Sequence, residues 1–133
     1  MTGSPFLTYT PYPSKVVKIN GSWRVRKEIS SSKSYTITLP SQVKDFYVDS
    51  KFTMPKLKKG AKVIMRINAS GLMTGGILNG SYVRRHHHYF GPITHLDVTQ
   101  WVKEGENELI LAPSMQHKNA SYELRNVEMW IME

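Results

Sequence analysis

Residues 82–92 read YVRRHHHYFGP and place two arginines, three histidines and three aromatic rings within eleven positions. Four kinds of chemistry are open to such a block. In an extended segment His86 and His88 share a face, and imidazoles suit zinc or nickel. A designed site needs a third or fourth ligand, and none stands at a known spacing; His95 and His117 are remote in sequence. Basic side chains beside aromatics also suit a nucleic-acid surface. Sugar recognition needs planar hydrogen-bonding groups together with an aromatic face for the apolar side of a pyranose. Tyr82, Arg84, Arg85, His86, His88 and Tyr89 supply both. The two arginines would favour an acidic sugar, because guanidinium matches carboxylate geometry. The fourth reading is a solvated turn, or one packed against a neighbouring domain.

Nothing elsewhere in the chain argues for nucleophilic or paired-carboxylate catalysis. There is no cysteine and no G-x-S-x-G elbow. Asp45 and Asp49 lie four apart on a strand-like run, hence roughly 13 Å apart by strand rise, too far for the carboxylate pair of a retaining glycosidase. They read as surface residues. The formal charge is +8, and it is uneven. Residues 1–60 hold eleven Lys/Arg against three Asp/Glu, whereas residues 61–133 hold seven of each. Lysines scattered in this way, including those of KLKKG at 56–60, usually serve solubility, so a nucleic-acid partner is not expected.

The elements that would position the block are short β-rich runs separated by turn signals. SYTITLP (34–40) alternates with period two, and DFYVDSKFTMP (45–55) continues the pattern with Phe46, Val48 and Phe52 facing inward. AKVIMRINAS (61–70) reads as a largely buried strand. GGILNGSYV (75–83) contains Asn79-Gly80, a strong hairpin signal. NELILAP (107–113) and YELRNVEMWIME (122–133) supply two more strands, with Val127, Met129 and Ile131 on one side of the last. The helical candidate is DVTQWVK (97–103), a single turn capped by Asp97 or Thr99 and stopped by Gly105. The expectation is an all-β sandwich or jelly roll spanning 16–133, preceded by a loosely ordered lead-in at 1–15. No run approaches the ~18 apolar residues of a membrane span. The opening MTGSPFLTYTPYPSK has neither a basic start nor an apolar core, so no export signal is expected in it.

Several stretches resemble, in order, the sugar-binding β-sandwich domain of glycoside hydrolase family 2, which is galactose-binding-domain-like. FYVDSKFTMP is similar to a strand of that family closing in F-x-x-P. GAKVIMRINASGLMTGGILNG resembles its strand, loop and following strand ending in Leu78-Asn79-Gly80. YVRRHHHYFGPITHLDVTQWVKEGENELIL resembles its later run, through Asp97-Val98-Thr99 and Gly105-Glu106-Asn107. The match is best over 46–112 and weak over 113–133. Each triplet has a turn chemistry of its own: Asn-Gly turns a hairpin, Asp-x-Thr bonds its own backbone, and Gly-Glu-Asn reverses into a core strand. There are departures. Gly76-Ile77 stands where the family often has an aromatic, His87-His88-Tyr89-Phe90 replaces a Gly-Gly-aromatic loop, and one extra residue lies between Pro92 and Asp97.

The resemblance implies a non-catalytic domain, because the family's acid/base and nucleophile belong to a separate barrel. No catalytic residue is therefore carried over. It places residues 84–90 in a loop that in full-length relatives lies towards substrate, with His86 where the family often has a histidine. The partners implied are an oligo- or polysaccharide and a catalytic glycosidase domain, in an extracellular or periplasmic bacterial parent protein. The rival expectations are a domain that docks on the barrel through an apolar patch around Trp130 and Met132, and a basic polyanion-binding module. No organic cofactor is implied. Some relatives carry a structural calcium near the chain ends, for which Glu128 and Glu133 are the available carboxylates. Of the three tryptophans, Trp23 in GSWRVRK is the one most open to exposure, Trp101 is expected to pack beneath the Asp-Val-Thr turn, and Trp130 is out of phase with Met129 and Ile131; core packing is the expectation for all three.

Overall fold

The computed structural model describes residues 13–27, 32–44, 47–70, 73–84, 93–113 and 121–133. Their strands are β1 (Lys15–Lys18), β2 (Trp23–Arg26), β3 (Tyr35–Ile37), β4 (Ser41–Lys44), β5 (Tyr47–Met54), β6 (Lys62–Ala69), β7 (Met73–Leu78), β8 (Ser81–Arg84), β9 (Ile93–Asp97), β10 (Gly105–Pro113) and β11 (Ser121–Met132). Two antiparallel sheets form. One runs β1-β11-β6-β9 with β4 also on β11, and the other runs β3-β2-β5-β10-β7-β8. From β3 onward the chain changes sheet at almost every connection, the habit of a jelly roll. This is an all-β sandwich, as the turn spacing predicts.

Alternation decides which side chains fill the space between the sheets. In β2 the order W-R-V-R sends Trp23 and Val25 inward at 0% and 1% exposure and leaves the arginines on the outside. Trp23 is thus a core residue whose Nε1 donates to the Ile19 carbonyl at 3.1 Å. Core packing is met at Trp23, and the flanking charges that single it out belong to the opposite face of the same strand. Val48 and Phe52 are buried as expected; Phe46 lies outside the described residues. In β11 the register shifts between Leu124 and Asn126, so Leu124 and Val127, three apart, both reach the core, followed by Met129 and Ile131. A Cβ on Gly76 would lie 2.7 Å from the Ile110 carbonyl oxygen, so β7 packs against β10 at a distance that glycine permits.

The three triplets are structural joints. Asn79 (φ 52°) and Gly80 (φ 85°) turn β7 into β8 with positive φ at both positions, as a type I′ hairpin requires. The Asn79 side chain donates to the Trp101 carbonyl and to Asn107 Oδ1, and accepts from the Glu108 amide, at 2.8–2.9 Å. Asn107 is 1% exposed, and its Nδ2 donates to the carbonyls of Lys103 and Gly105 while its Oδ1 also accepts from the Lys103 amide. Asp97 Oδ1 accepts from the Thr99 amide and hydroxyl, and Thr99 Oγ1 accepts from the Val63 amide. The 97–103 segment is one turn closed by Val98, whose carbonyl accepts from Trp101 and Val102, and Gly105 (φ 84°) ends it. Trp101 is half-buried against the core, under that turn.

Candidate functional site

Of the six residues that sequence chemistry nominates, Tyr82 is fully described. It stands on the outer face of β8 with 53% of its surface exposed, between inward-facing positions that include Val83 at 3%. The backbone of Arg84 closes β8, pairing with Gly75, while its side chain and the whole of Arg85, His86, His88 and Tyr89 lie outside the described residues. β8 is the edge strand of the six-stranded sheet, so the described part of the block, Tyr82 to the Arg84 backbone, lies on a sheet edge.

The register carries Tyr82 across the whole of that sheet. It pairs with Ile77, Ile77 with Ile110, Ile110 with Asp49, Asp49 with Arg24, and Arg24 with Thr36. These six side chains form one transverse row on the outer face, since their neighbours Val83, Leu78, Leu109, Val48 and Trp23 point into the core. One end of the row is apolar and aromatic (Ile110, Ile77, Tyr82) and the other is charged and hydroxylic. Tyr82 and Arg24 are four strands apart, roughly 19 Å by strand spacing.

At the charged end Asp49 is 7% exposed, not a surface carboxylate as its spacing from Asp45 suggested. It can be buried because two guanidiniums enclose it. Arg24 Nε donates to Oδ1 at 3.1 Å, Arg26 Nε donates to Oδ2 at 3.0 Å, and Arg26 NH2 lies 2.8 Å from Oδ2. The two arginines differ: Arg26 keeps 11% of its side chain exposed and Arg24 keeps 51%. Arg24 borders a shallow groove of about 430 Å³ lined by Ser22, Trp23, Thr36, Asp49, Ser50, Lys51 and Glu108. Sequence reasoning missed this site because its partners are 23 and 25 residues apart. The W-R-V-R alternation was the available signal.

The outer face of the five-stranded sheet carries a different cluster. Val16 pairs with Trp130, Trp130 with Ile64, and Ile64 with Asp97; beside that row run Lys18, Glu128, Arg66 and His95. The Arg66 guanidinium carbon lies 5.3 Å from the centre of the Trp130 ring, and the His95 ring meets it edge-on at 5.9 Å. Trp130 Nε1 donates to Glu128 Oε1 at 3.0 Å, and Arg66 NH1 stands 3.6 Å from the same oxygen. Arg66 Nε is buried with no hydrogen-bond partner among the described residues. Partial burial, with the Arg66 charge added, lowers the pKa of His95 below its usual 6.5.

Among the described residues neither carboxylate nominated for a calcium ion is available to one. Glu128 is engaged by Trp130 and Arg66, and Glu133 accepts from the Lys58 amide and lies 3.8 Å from Lys15 Nζ. Among the described residues no group of three or more His, Asp or Glu converges as metal ligands. His86, His88 and His117 lie outside them.

The architecture is that of a β-sandwich domain of the kind found in family 2 glycoside hydrolases. A β-glucuronidase from an uncultured Clostridium superposes with a TM-score of 0.70 at 18% identity over 93% of this chain and 30% of its own. A β-glucuronidase from Ruminococcus gnavus gives 0.71 at 13% identity, again over 93% and 30%. A glycosyl hydrolase family 2 member from Bacteroides cellulosilyticus gives 0.68 at 16%, over 87% and 20%. The chain therefore spans less than a third of these proteins' lengths and shares the fold of one part of them. No protein-family model matches it, and no curated protein sequence does.

Proposed function

We propose that this domain is a non-catalytic carbohydrate-recognition module of a larger glycoside hydrolase, with its glycan contacts made by β8 and the 82–90 segment that follows. The observation that carries the reading is Tyr82, an exposed ring on an edge strand, immediately before Arg84, Arg85, His86, His88 and Tyr89. Tyrosine offers a flat apolar face at low entropic cost, and arginine and histidine offer donors for hydroxyls or a carboxylate. The likeness to one part of two β-glucuronidases and of a family 2 glycosyl hydrolase supports a carbohydrate context. Few groups are desolvated at such a site, so affinity is expected to be weak.

The test is a glycan array with neutral, uronic and sulfated oligosaccharides, read at low and high salt for the wild-type chain and for Tyr82→Ala, Arg84→Ala and Tyr89→Ala. Selective, salt-resistant retention, lost in the variants at unchanged melting temperature, is the expected result. Binding only to sulfated chains, abolished by salt, would make it a polyanion surface. No retention at all would overturn the reading. It would favour a domain that docks on its catalytic neighbour, for which the apolar row of Val16 (43% exposed), Trp130 and Ile64, with Met132 beside it, is the supporting observation.

A further inference from the structure

We infer that the groove beside Arg24 is a second subsite, on the outer face of the six-stranded sheet, which takes the carboxylate of a uronate-bearing oligosaccharide whose other end lies on Tyr82. This rests on the carbohydrate reading above and adds to it a location, a charge and a minimum ligand length.

The argument starts from how Arg24 is held. Among the described residues it donates through Nε alone, to Asp49, at 3.1 and 3.4 Å to the two oxygens. A guanidinium is planar, so fixing its Nε edge fixes the direction of its two terminal nitrogens. Half of the Arg24 side chain remains solvent-exposed, bordering the groove. A terminal-nitrogen edge already oriented, and not engaged by the carboxylate that orients it, is the geometry a second carboxylate accepts bidentately. Asp49 is largely neutralised by Arg26, which reaches Oδ2 through both Nε and NH2. Arg24 and Lys51 then outweigh Glu108 among the charged groups lining the groove, leaving one net positive charge. Ser22 and Thr36, both exposed there, add hydroxyls suited to sugar oxygens.

The register supplies the length. Between Arg24 and Tyr82 the row runs through the buried Asp49 and then Ile110 and Ile77, both partly buried. An apolar strip of this kind suits the carbon faces of pyranose rings, and the aromatic ring stands at its far end. The span of roughly 19 Å is beyond one monosaccharide and suits an oligosaccharide lying across the strands. A uronate at one terminus and an apolar ring face at the other match the two ends of the row.

The test uses the full chain, an α-1,4-linked tetragalacturonate and its fully methyl-esterified, uncharged counterpart. Affinity is measured by calorimetry, and the Arg24 Nε–Hε signal is followed by ¹⁵N NMR. The acid is expected to bind, to shift the Arg24 signal, and to bind roughly tenfold more tightly than the ester, as the loss of a charge-assisted pair implies. Arg24→Gln should remove that preference, and Arg24→Lys, which keeps the charge but not the planar fork, should reduce it. Arg26 still holds Asp49, so the chain should stay folded with a melting temperature somewhat below that of the wild type. Acid binding that is abolished by Tyr82→Ala but indifferent to Arg24→Gln would overturn the subsite and leave the glycan reading standing. Absence of any glycan binding would overturn both. Equal competition by inorganic sulfate would show a general oxyanion site and overturn the assignment to a uronate.

Discussion

Both outer faces of the sandwich bury a carboxylate at the middle of a sheet, Asp49 on β5 and Glu128 on β11, at 7% and 8% exposure. They compensate it in opposite ways. Asp49 is enclosed by two guanidiniums, and the outer one is left half in solvent at the edge of a polar groove. Glu128 has one guanidinium at 3.6 Å and one indole N–H at 3.0 Å, and the guanidinium is drawn over the indole ring. The first arrangement holds a cation ready at the surface. The second consumes its cation in covering a tryptophan. An oriented, half-exposed arginine suits ligand recognition, whereas an arginine lying on an indole, with apolar neighbours Val16 and Ile64, suits burial against another surface.

The comparison is broken most severely at Asp49. Asp49→Ala would leave Arg26, with 11% of its side chain exposed, without the carboxylate that it meets through two nitrogens. Removing one member of a buried pair costs about 3–5 kcal/mol, and with Arg24 able to turn into water the loss here should fall near 3 kcal/mol. Urea unfolding of the wild type and the variant reads it directly. A loss below about 1 kcal/mol, the level of a surface pair, would mean that the two arginines were solvated all along.

Asp49 also marks where sequence reading stops. The joints were legible, because the Asn79-Gly80 hairpin, the Asp97-x-Thr99 turn and the Gly105 stop are decided by residues adjacent in the chain. The strand faces were legible wherever alternation was read to its end, as in Val127, Met129 and Ile131, all 0% exposed. Trp23 packs in the core as expected, and W-R-V-R shows why its flanking charges are no guide: charge in a neighbouring position says nothing about which face a residue occupies. The burial of Asp49 was not legible at all, since it depends on β2 pairing with β5 in one register that sets Arg24 opposite Asp49 and Arg26 opposite Tyr47. Of the nominated site, the sequence supplied residue types and an order. That Tyr82 shares a row with Arg24 is a property of five strands in register and has no trace in local spacing.

The other face should be more forgiving. Glu128→Gln keeps an oxygen for the Trp130 indole and removes only the charge opposite Arg66, whose side chain is 23% exposed. The expected loss is about 1 kcal/mol, that of a charge-assisted contact partly open to solvent. If urea unfolding instead shows a loss equal to that of Asp49→Ala, the two carboxylates are equivalent structural centres and the functional contrast between the faces disappears.

The smallest expected effect is a pH dependence confined to the five-stranded face. His95 stands in register with Arg66 and edge-on to Trp130, with Glu128 and Lys18 further along the same row. Partial burial, and then the Arg66 charge, lowers its pKa in the folded chain below the 6.5 of the free side chain. Where the folded value is the lower one, the unfolded chain binds the proton more readily, so stability falls as pH drops through 6.5 towards the folded value. The contribution is complete at neutral pH and above, and once both states are protonated there is no further loss. His95→Gln should flatten this part of the profile, the lost ring contact with Trp130 appearing only as an offset that does not vary with pH. Urea midpoints for wild type and variant, taken from about pH 8 down to about pH 5, isolate it from the other histidines by difference. A variant that runs parallel to the wild type through that range would mean that His95 titrates as a free side chain. The Trp130–Arg66 cluster would then not cover it as the geometry requires.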